Sequence, residues 1–227
     1  MSETERDRWQ KMIRIWQIIG QLRGESGCPW DRKQTPESVQ TYLVEEAHEA
    51  AAAVRSGFVR EAAEELGDLL FMVLFLIHLY EEQNNFRLED VCDLINEKMI
   101  RRHPHVFGDA TVNDAREVRS NWEKIKAAEK AAGGKSAGGG VPESLPALMR
   151  AYRMLSRMSH DESKRLNDLP HQVREFSRKS ERLLEELGDR EAVSAQTVGE
   201  LLMSVVNLAR IKGLRAEDIL HDSLRSL

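Results

Sequence analysis

The stretch that most constrains this chain is VEEAHEAAAAVRSGFVREAAEELGD, residues 44–68, which runs straight into LLFMVLFLI. Ser56-Gly57-Phe58 reads as a tight turn between two helices. If Gly57 is its centre, Glu49 and Glu65 stand at one height, eight residues away on either side. Glu46 and Asp68 stand at another, eleven residues away. Within each helix the two acids are spaced i,i+3 and share a face. Four carboxylates are therefore expected at two matched levels, one helical turn apart. Leu69–Ile77 must be buried, so these acids lie beside a core and cannot all turn to water. A hard cation with oxygen ligands, Mg²⁺ above all, relieves the repulsion. Glu45, Glu61 and Glu64 fall off the shared face, though Glu45 or Glu64 can stand behind the ligands. Glu45 with His48 has the spacing of one half of a di-iron carboxylate bundle, but the partner helix offers no second Glu-x-x-His.

Apolar periodicity predicts helices over the rest of the first part as well. The first spans about 3–22, with Trp9, Met12, Ile13, Trp16 and Ile19 on one stripe, and the loop RGESGCPWDRKQ follows. Thr35-Pro36 marks the N-terminus of the second, since proline costs nothing at a first helical position. That helix runs to about Arg55. Three more are expected over 59–82, 88–102 and 113–130. No stretch alternates with period two, so the fold class is all-α, a helical bundle.

The segment AAGGKSAGGGVPESLP then breaks the pattern. Its GGKS lacks the earlier glycine of a phosphate loop, because position 129 is Glu129, and no strand precedes it. A flexible linker over 133–141 is expected, between a first domain at 1–132 and a second at 142–227. Helices are expected there at 145–159, 169–187 and 197–212, with a short one near the end. LGDLLFMVLFLIHL (66–79) aligns with VGELLMSVVNLARI (198–211), with five identities in step, which suggests a duplicated hairpin. In that alignment Thr197 replaces Glu65 and Glu200 replaces Asp68. Thr197-Val-Gly-Glu200 also reads as a capping box. A literal EELGD at 185–189 lacks the apolar helix that should follow it. The second copy is expected to be catalytically dead.

Charge and composition narrow the partners. Residues 142–227 balance 14 Lys and Arg against 14 Asp and Glu; of the chain's 33 basic and 38 acidic side chains, 19 and 24 remain in residues 1–141. The acidic excess lies wholly in the first part, which argues for a cation and against a nucleic-acid partner. The longest apolar run, nine residues, is far below the roughly 18–20 needed to span a bilayer, so no membrane partner is expected. The N-terminus, MSETERDRWQ, lacks the pattern of a secretory leader. Two cysteines, Cys28 and Cys92, make no disulfide framework. A reduced, cytoplasmic protein is expected.

Lys98, Arg101 and Arg102 put three permanent cations near one face at the end of the fourth helix. Beside a Mg²⁺ site such a cluster suits a polyphosphate. His103 and His105 read as loop-packing residues.

Taken together, Glu45-Glu46-x-x-Glu49, Glu65-x-x-Asp68, CPWD at 28–31, KMIRRHPHVFGD at 98–109 and NWEKIKAAEK at 121–130 resemble the MazG-type nucleoside triphosphate pyrophosphohydrolases. VPESLPALMRAYR at 141–153 is similar to the start of the second copy in two-domain members. The resemblance implies an all-α, usually dimeric enzyme that cuts nucleoside triphosphates between the α and β phosphates. It implies Mg²⁺ on Glu46, Glu49, Glu65 and Asp68, and phosphate contacts from Lys98, Arg101 and Arg102. It further implies Trp122 and Lys126 as candidate substrate contacts, and Trp30 as a candidate to pack the base. Glu45 or Glu64 is the expected proton acceptor for the attacking water. Two rivals stay open at this point: a helical module that binds nucleotides or a partner without turnover, and the di-iron bundle.

Overall fold

The computed structural model describes residues 2–131, 140–158, 160–188 and 193–224. The described residues hold helices and no strand. The chain divides into two units, Met1–Ile125 and Lys126–Leu227, with the division inside one helix. The expected linker at 133–141 lies, apart from residues 140 and 141, outside the described residues.

The first unit begins with α1 (Glu3–Arg23). Ser2 and Glu5 form a reciprocal capping box, each backbone N–H donating to the other's side chain. A 3₁₀ turn (Asp31–Lys33) follows, then α2 (Pro36–Ser56) and α3 (Val59–Glu82). Thr35 caps α2 through Ser38 N–H and Pro36 opens it, as the sequence predicts. Gly57 ends α2 at φ 78°, the left-handed region that a β-carbon disfavours, so the expected turn centre is where the backbone needs glycine. α4 (Leu88–Arg102), the single turn α5 (Pro104–Phe107) and α6 (Ala115–Ala131) complete the helices that begin in this unit.

Ile19, Val39, Leu74, Phe75 and Leu79 form the buried core of the first unit, with Met12, Trp16 and Leu70 packed against them. The acid-rich half of α3 thus ends where the core begins. The predicted α1 stripe is only partly buried: Ile19 is sealed, while Trp9 and Ile13 are 55% and 49% exposed.

The loop between α1 and α2 is pinned in place. Gly27 passes so close to the end of α1 that a β-carbon would sit 2.2 Å from the Leu22 carbonyl oxygen. Cys28 N–H can therefore reach that carbonyl at 2.9 Å and cap the helix. Arg23 holds the far side of the loop, donating to the backbone carbonyls of Asp31 and Gln34 and to the Glu82 carboxylate.

The second unit comprises α7 (Ala147–Leu155), α8 (His160–Asn167), α9 (Leu169–Gly188), α10 (Ala195–Ile211) and α11 (Ala216–Leu224). α7 is shorter than the helix expected over 145–159, and α8 is a helix that apolar periodicity does not predict. The reason is that α8 is polar around most of its circumference and shows no apolar period. Leu166 packs on the core of Ala151, Leu155 and Val206.

Candidate active site

Two helices and one pinned loop build the site. α2 brings Glu46 and Glu49, and α3 brings Glu65. One oxygen from each lies within 4.8 Å of the other two. Glu46 and Glu65 are half-buried and Glu49 is exposed. Asp68, expected as a fourth member, is exposed and outside this close group. Its charge still reaches the group. Burial first, then repulsion from Glu49, Asp68, Glu65 and Glu45, raises the Glu46 carboxyl above its ordinary range. Glu65 is raised in the same way, by burial and then by Glu49, Asp68, Glu64 and Glu61. Acids that disfavour one another's charge this close together are the donor set a hard divalent cation fits. No histidine joins the group, and His48 is exposed, which leaves the di-iron pattern without its nitrogen ligands. Glu45 and Glu64 are both exposed beside the group.

Next to Glu46 opens a half-open cavity of about 160 Å³, walled by Trp30, Tyr42, Phe71 and Phe75. That is on the order of the 150 Å³ that accommodates a benzene ring in a protein interior. Trp30 and Tyr42 meet edge to face, ring centres 5.9 Å apart. Trp30 is where it is because Arg23 and Gly27 fix the loop that carries it. Asp31 and Gln34 also border the cavity. Gln34 is engaged within the loop: its amide donates to the Trp30 carbonyl and accepts from the Ser38 hydroxyl.

Sequence reasoning singled out Trp30 but missed the rest of this wall. Tyr42 had a legible signal, since it lies one turn before Glu46 on the same face of α2. Phe71 and Phe75 had none, because within LLFMVLFLI every residue reads as core.

The basic residues occupy the last turns of α4, with Lys98 and Arg102 half-buried and Arg101 exposed. His103 closes that helix. Its Nδ1–H donates to the Met99 carbonyl at 2.7 Å, which leaves Nε2 without the proton in the neutral ring. The same ring packs edge to face on Trp122, 5.1 Å between centres. His103 therefore has the packing role expected of it, and it joins Trp122 of α6 to the basic end of α4. Lys126, one turn beyond Trp122, is exposed.

The second unit has a comparable helix pair, α9 and α10, with different chemistry. The expected capping box at Thr197–Glu200 is not formed. Ser194 caps α10 instead, and Thr197 is buried within it. The Thr197 hydroxyl donates to Glu186 at 2.6 Å, and Glu186 also accepts from Ser194 N–H and Arg182. These bonds, Thr197 first, hold the Glu186 carboxyl below its ordinary range, the opposite of Glu46 and Glu65. With Gly67 aligned on Gly199, Ser204 replaces Met72 and Asn207 replaces Phe75. Lys179 donates to the Ser204 hydroxyl at 3.0 Å. Buried Asn207 is satisfied by the Leu166 carbonyl, Gln172 and Arg210. Of the EELGD segment, Asp189 lies outside the described residues.

Comparison with known proteins bears on the same residues. Residues 34–107 match the MazG nucleotide pyrophosphohydrolase domain. The chain is 35% identical over 219 residues to the nucleoside triphosphate pyrophosphohydrolase of Escherichia coli, covering 90% of this chain and 79% of that one. It is 37% identical over 211 residues to the nucleoside triphosphate pyrophosphohydrolase/pyrophosphatase MazG of Thermotoga maritima, covering 92% and 79%. A 45% identical match of 137 residues to the Bacillus subtilis protein YabN covers 60% of this chain and 28% of that one. A solved structure of a mazG-related protein from Thermotoga maritima aligns with 28% identity and a TM-score of 0.44, over 50% of this chain and 97% of that one. The chain belongs to the MazG nucleoside triphosphate pyrophosphohydrolase family.

Proposed function

We propose that this protein hydrolyses nucleoside triphosphates at the α–β anhydride bond, releasing a nucleoside monophosphate and pyrophosphate. The observation that carries the reading is the carboxylate group of Glu46, Glu49 and Glu65, of which Glu46 also lines an aromatic cavity. A base can stack in the cavity while its phosphates extend along the acids.

The family implies a divalent metal, and we assign Mg²⁺ to Glu46, Glu49 and Glu65, with Asp68 completing the set from one turn further along α3. Bound there, Mg²⁺ supplies Lewis-acid neutralisation of the triphosphate charge. The chain's own residues do the remainder. Trp30 and Tyr42 hold the base. Lys98, Arg101 and Arg102 neutralise the phosphates and clamp the departing pyrophosphate, with Trp122 and Lys126 as further contacts. Glu45 or Glu64 accepts the proton of the attacking water, so no covalent nucleophile is needed.

We assign catalysis to the first unit alone. In the second, Thr197 stands where the first has Glu65, and Glu186 accepts from Thr197, Ser194 N–H and Arg182. The partner we favour is a second copy of the chain. Trp9 and Ile13 on α1, and Phe58 and Val59 at the hairpin tip, leave large apolar side chains uncovered. Cys28 and Cys92 are both free thiols, which suits a reducing cytoplasm. No helix among the described residues is long and apolar enough to cross a membrane.

Phosphorus NMR of the purified protein with Mg²⁺ and a panel of ribo- and deoxynucleoside triphosphates tests this reading. Pyrophosphate and monophosphate are expected. Orthophosphate with diphosphate would overturn the assignment of the bond. Nucleotide binding without product would favour the non-catalytic module.

A further inference from the structure

His78 is a titratable group inside the fold that the proposed mechanism does not use. Its ring lies on the seam between α1 and α3, with 19% of the side chain exposed. Trp16 meets it edge to face, ring centres 5.2 Å apart. Gly20, one turn further along α1, passes so near that a β-carbon there would stand 4.0 Å from the ring's Cε1. Nδ1 is buried and has no hydrogen-bond partner among the described residues. Nε2 stands 3.4 Å from Oε1 of Glu82, one turn along α3.

That oxygen is already in use. Arg23 Nε donates to Oε1 at 3.1 Å, while the other prong of the guanidinium takes Oε2. The same guanidinium donates to the carbonyls of Asp31 and Gln34, two residues that border the aromatic cavity with Trp30. His78 therefore stands at the root of a relay that ends on the cavity wall. Its charge decides how Glu82 is shared. A neutral imidazole leaves both oxygens to Arg23, whereas a protonated one is a second cation on Oε1 and competes there with Arg23 Nε. Histidine is the side chain that changes charge between about pH 5 and pH 8. The charged groups around the ring are Glu82 and Glu81 on α3 and, across Glu82, Arg23 on α1. Glu81 follows His78 at i,i+3, and its Oε2 is buried without a hydrogen-bond partner. Trp16 and Gly20 carry no charge.

We propose that His78 is a positioning residue for the cavity, acting through Glu82 and Arg23. Neutral, it leaves the Trp30 loop gripped; protonated, it draws Oε1 from Arg23 and the loop slackens. The inference rests on the reading that the substrate's base occupies the cavity, and its test separates the two.

Hydrogen exchange across residues 28–34, corrected for intrinsic rates, reads the loop without substrate. The reporter is the Gln34 backbone N–H, which donates to the Asp31 carbonyl. Between about pH 8 and about pH 6 its protection in wild type should fall about 3- to 10-fold, the worth of one hydrogen bond. His78→Gln, neutral throughout, should hold its protection constant. Steady-state kinetics at the same two pH values reads the site. KM for the triphosphate should rise more in wild type than in His78→Gln, by a similar factor, with kcat changing alike in both. The ratio of the two proteins cancels the titration of the triphosphate and of the metal-binding acids. Glu82→Gln removes the carboxylate that both cations share, and should give a slack loop and a raised KM at both pH values. Loop protection independent of pH in wild type, or the same pH response in His78→Gln, would overturn the proposal. If the loop responds as expected but no triphosphate is hydrolysed, the proposed function fails and the grip of His78 on the loop stands. If pyrophosphate is released with identical KM profiles in wild type and His78→Gln, the reverse holds.

Discussion

Arg23 and Glu82, 59 residues apart in the chain, close a two-pronged ion pair between the last turns of α1 and α3. Only 12% of the Arg23 side chain is exposed, against 37% for Glu82. Arg23 is also the residue that grips the Trp30 loop through two backbone carbonyls, so one side chain ties the core to the wall of the site.

Arg23→Ala should therefore cost about 2–3 kcal/mol in chemical denaturation, because it removes a charged donor from the Glu82 carboxylate and from the Asp31 and Gln34 carbonyls. It should also raise KM, as the loop loses its anchor. The Arg23 hydrogen bond holds the Glu82 carboxyl below its ordinary 4.5, against the opposing effect of burial. A lowered native pKa stabilises the fold above the unfolded value, and that contribution is lost as pH falls through the native one. Melting curves should fall more steeply below about pH 4.5 for wild type than for Glu82→Gln.

The metal-ligand candidates should behave in the opposite sense. The carboxyls of Glu46 and Glu65 are raised above 4.5 in the folded chain. Their contribution in the metal-free protein is present below that value and disappears as pH rises through the native ones. Metal-free protein should thus lose melting temperature as pH rises above 4.5 through this range, and Mg²⁺ should restore it most at the alkaline end. Glu65→Gln should stabilise the metal-free form, remove the Mg²⁺-dependent rise and reduce activity at least about 100-fold. A Glu65→Gln protein still stabilised by Mg²⁺ would remove Glu65 from the ligand set.

Trp30→Ala should raise KM for triphosphates about 10- to 100-fold, with kcat little changed, since stacking a base on an aromatic ring is worth roughly 1–3 kcal/mol. A loss confined to kcat would place Trp30 outside the base contact.

Gly57→Ala forces a β-carbon into the left-handed conformation of the hairpin turn and should cost about 1–2 kcal/mol. The check is the denaturation midpoint. An unchanged midpoint would mean that the turn relaxes without help from glycine.

Glu186→Gln is the control for the second unit. It weakens the contacts to Thr197, Ser194 and Arg182, so stability should drop at neutral pH. The Mg²⁺ dependence of turnover should stay as in wild type. A change in that dependence would return Glu186 to the metal chemistry.

Several of these features are legible in the sequence alone. Thr35-Pro36 and Gly57 place both ends of α2, and the acid pairs around Gly57 anticipate that Glu46, Glu49 and Glu65 lie near one another. Others are not. Thr197 and Glu200 carry a capping signature, yet α10 starts two residues before Thr197, because burying that hydroxyl against Glu186 outweighs a local cap. Trp9 and Ile13 continue the α1 stripe in sequence, but the core of the first unit ends short of them.

The sequence by itself determined the helices, the turn and the register of the acids, since all three depend on interactions within about four residues along the chain. Tertiary structure decided which acids meet, with three close together and Asp68 set apart, and that Trp30, Tyr42 and Asp31 share one cavity. Those outcomes turn on Arg23 reaching Glu82, Asp31 and Gln34 at once, and on Gly27 letting the loop fold back against α1. Contacts between residues so distant in the chain leave no periodic trace in it.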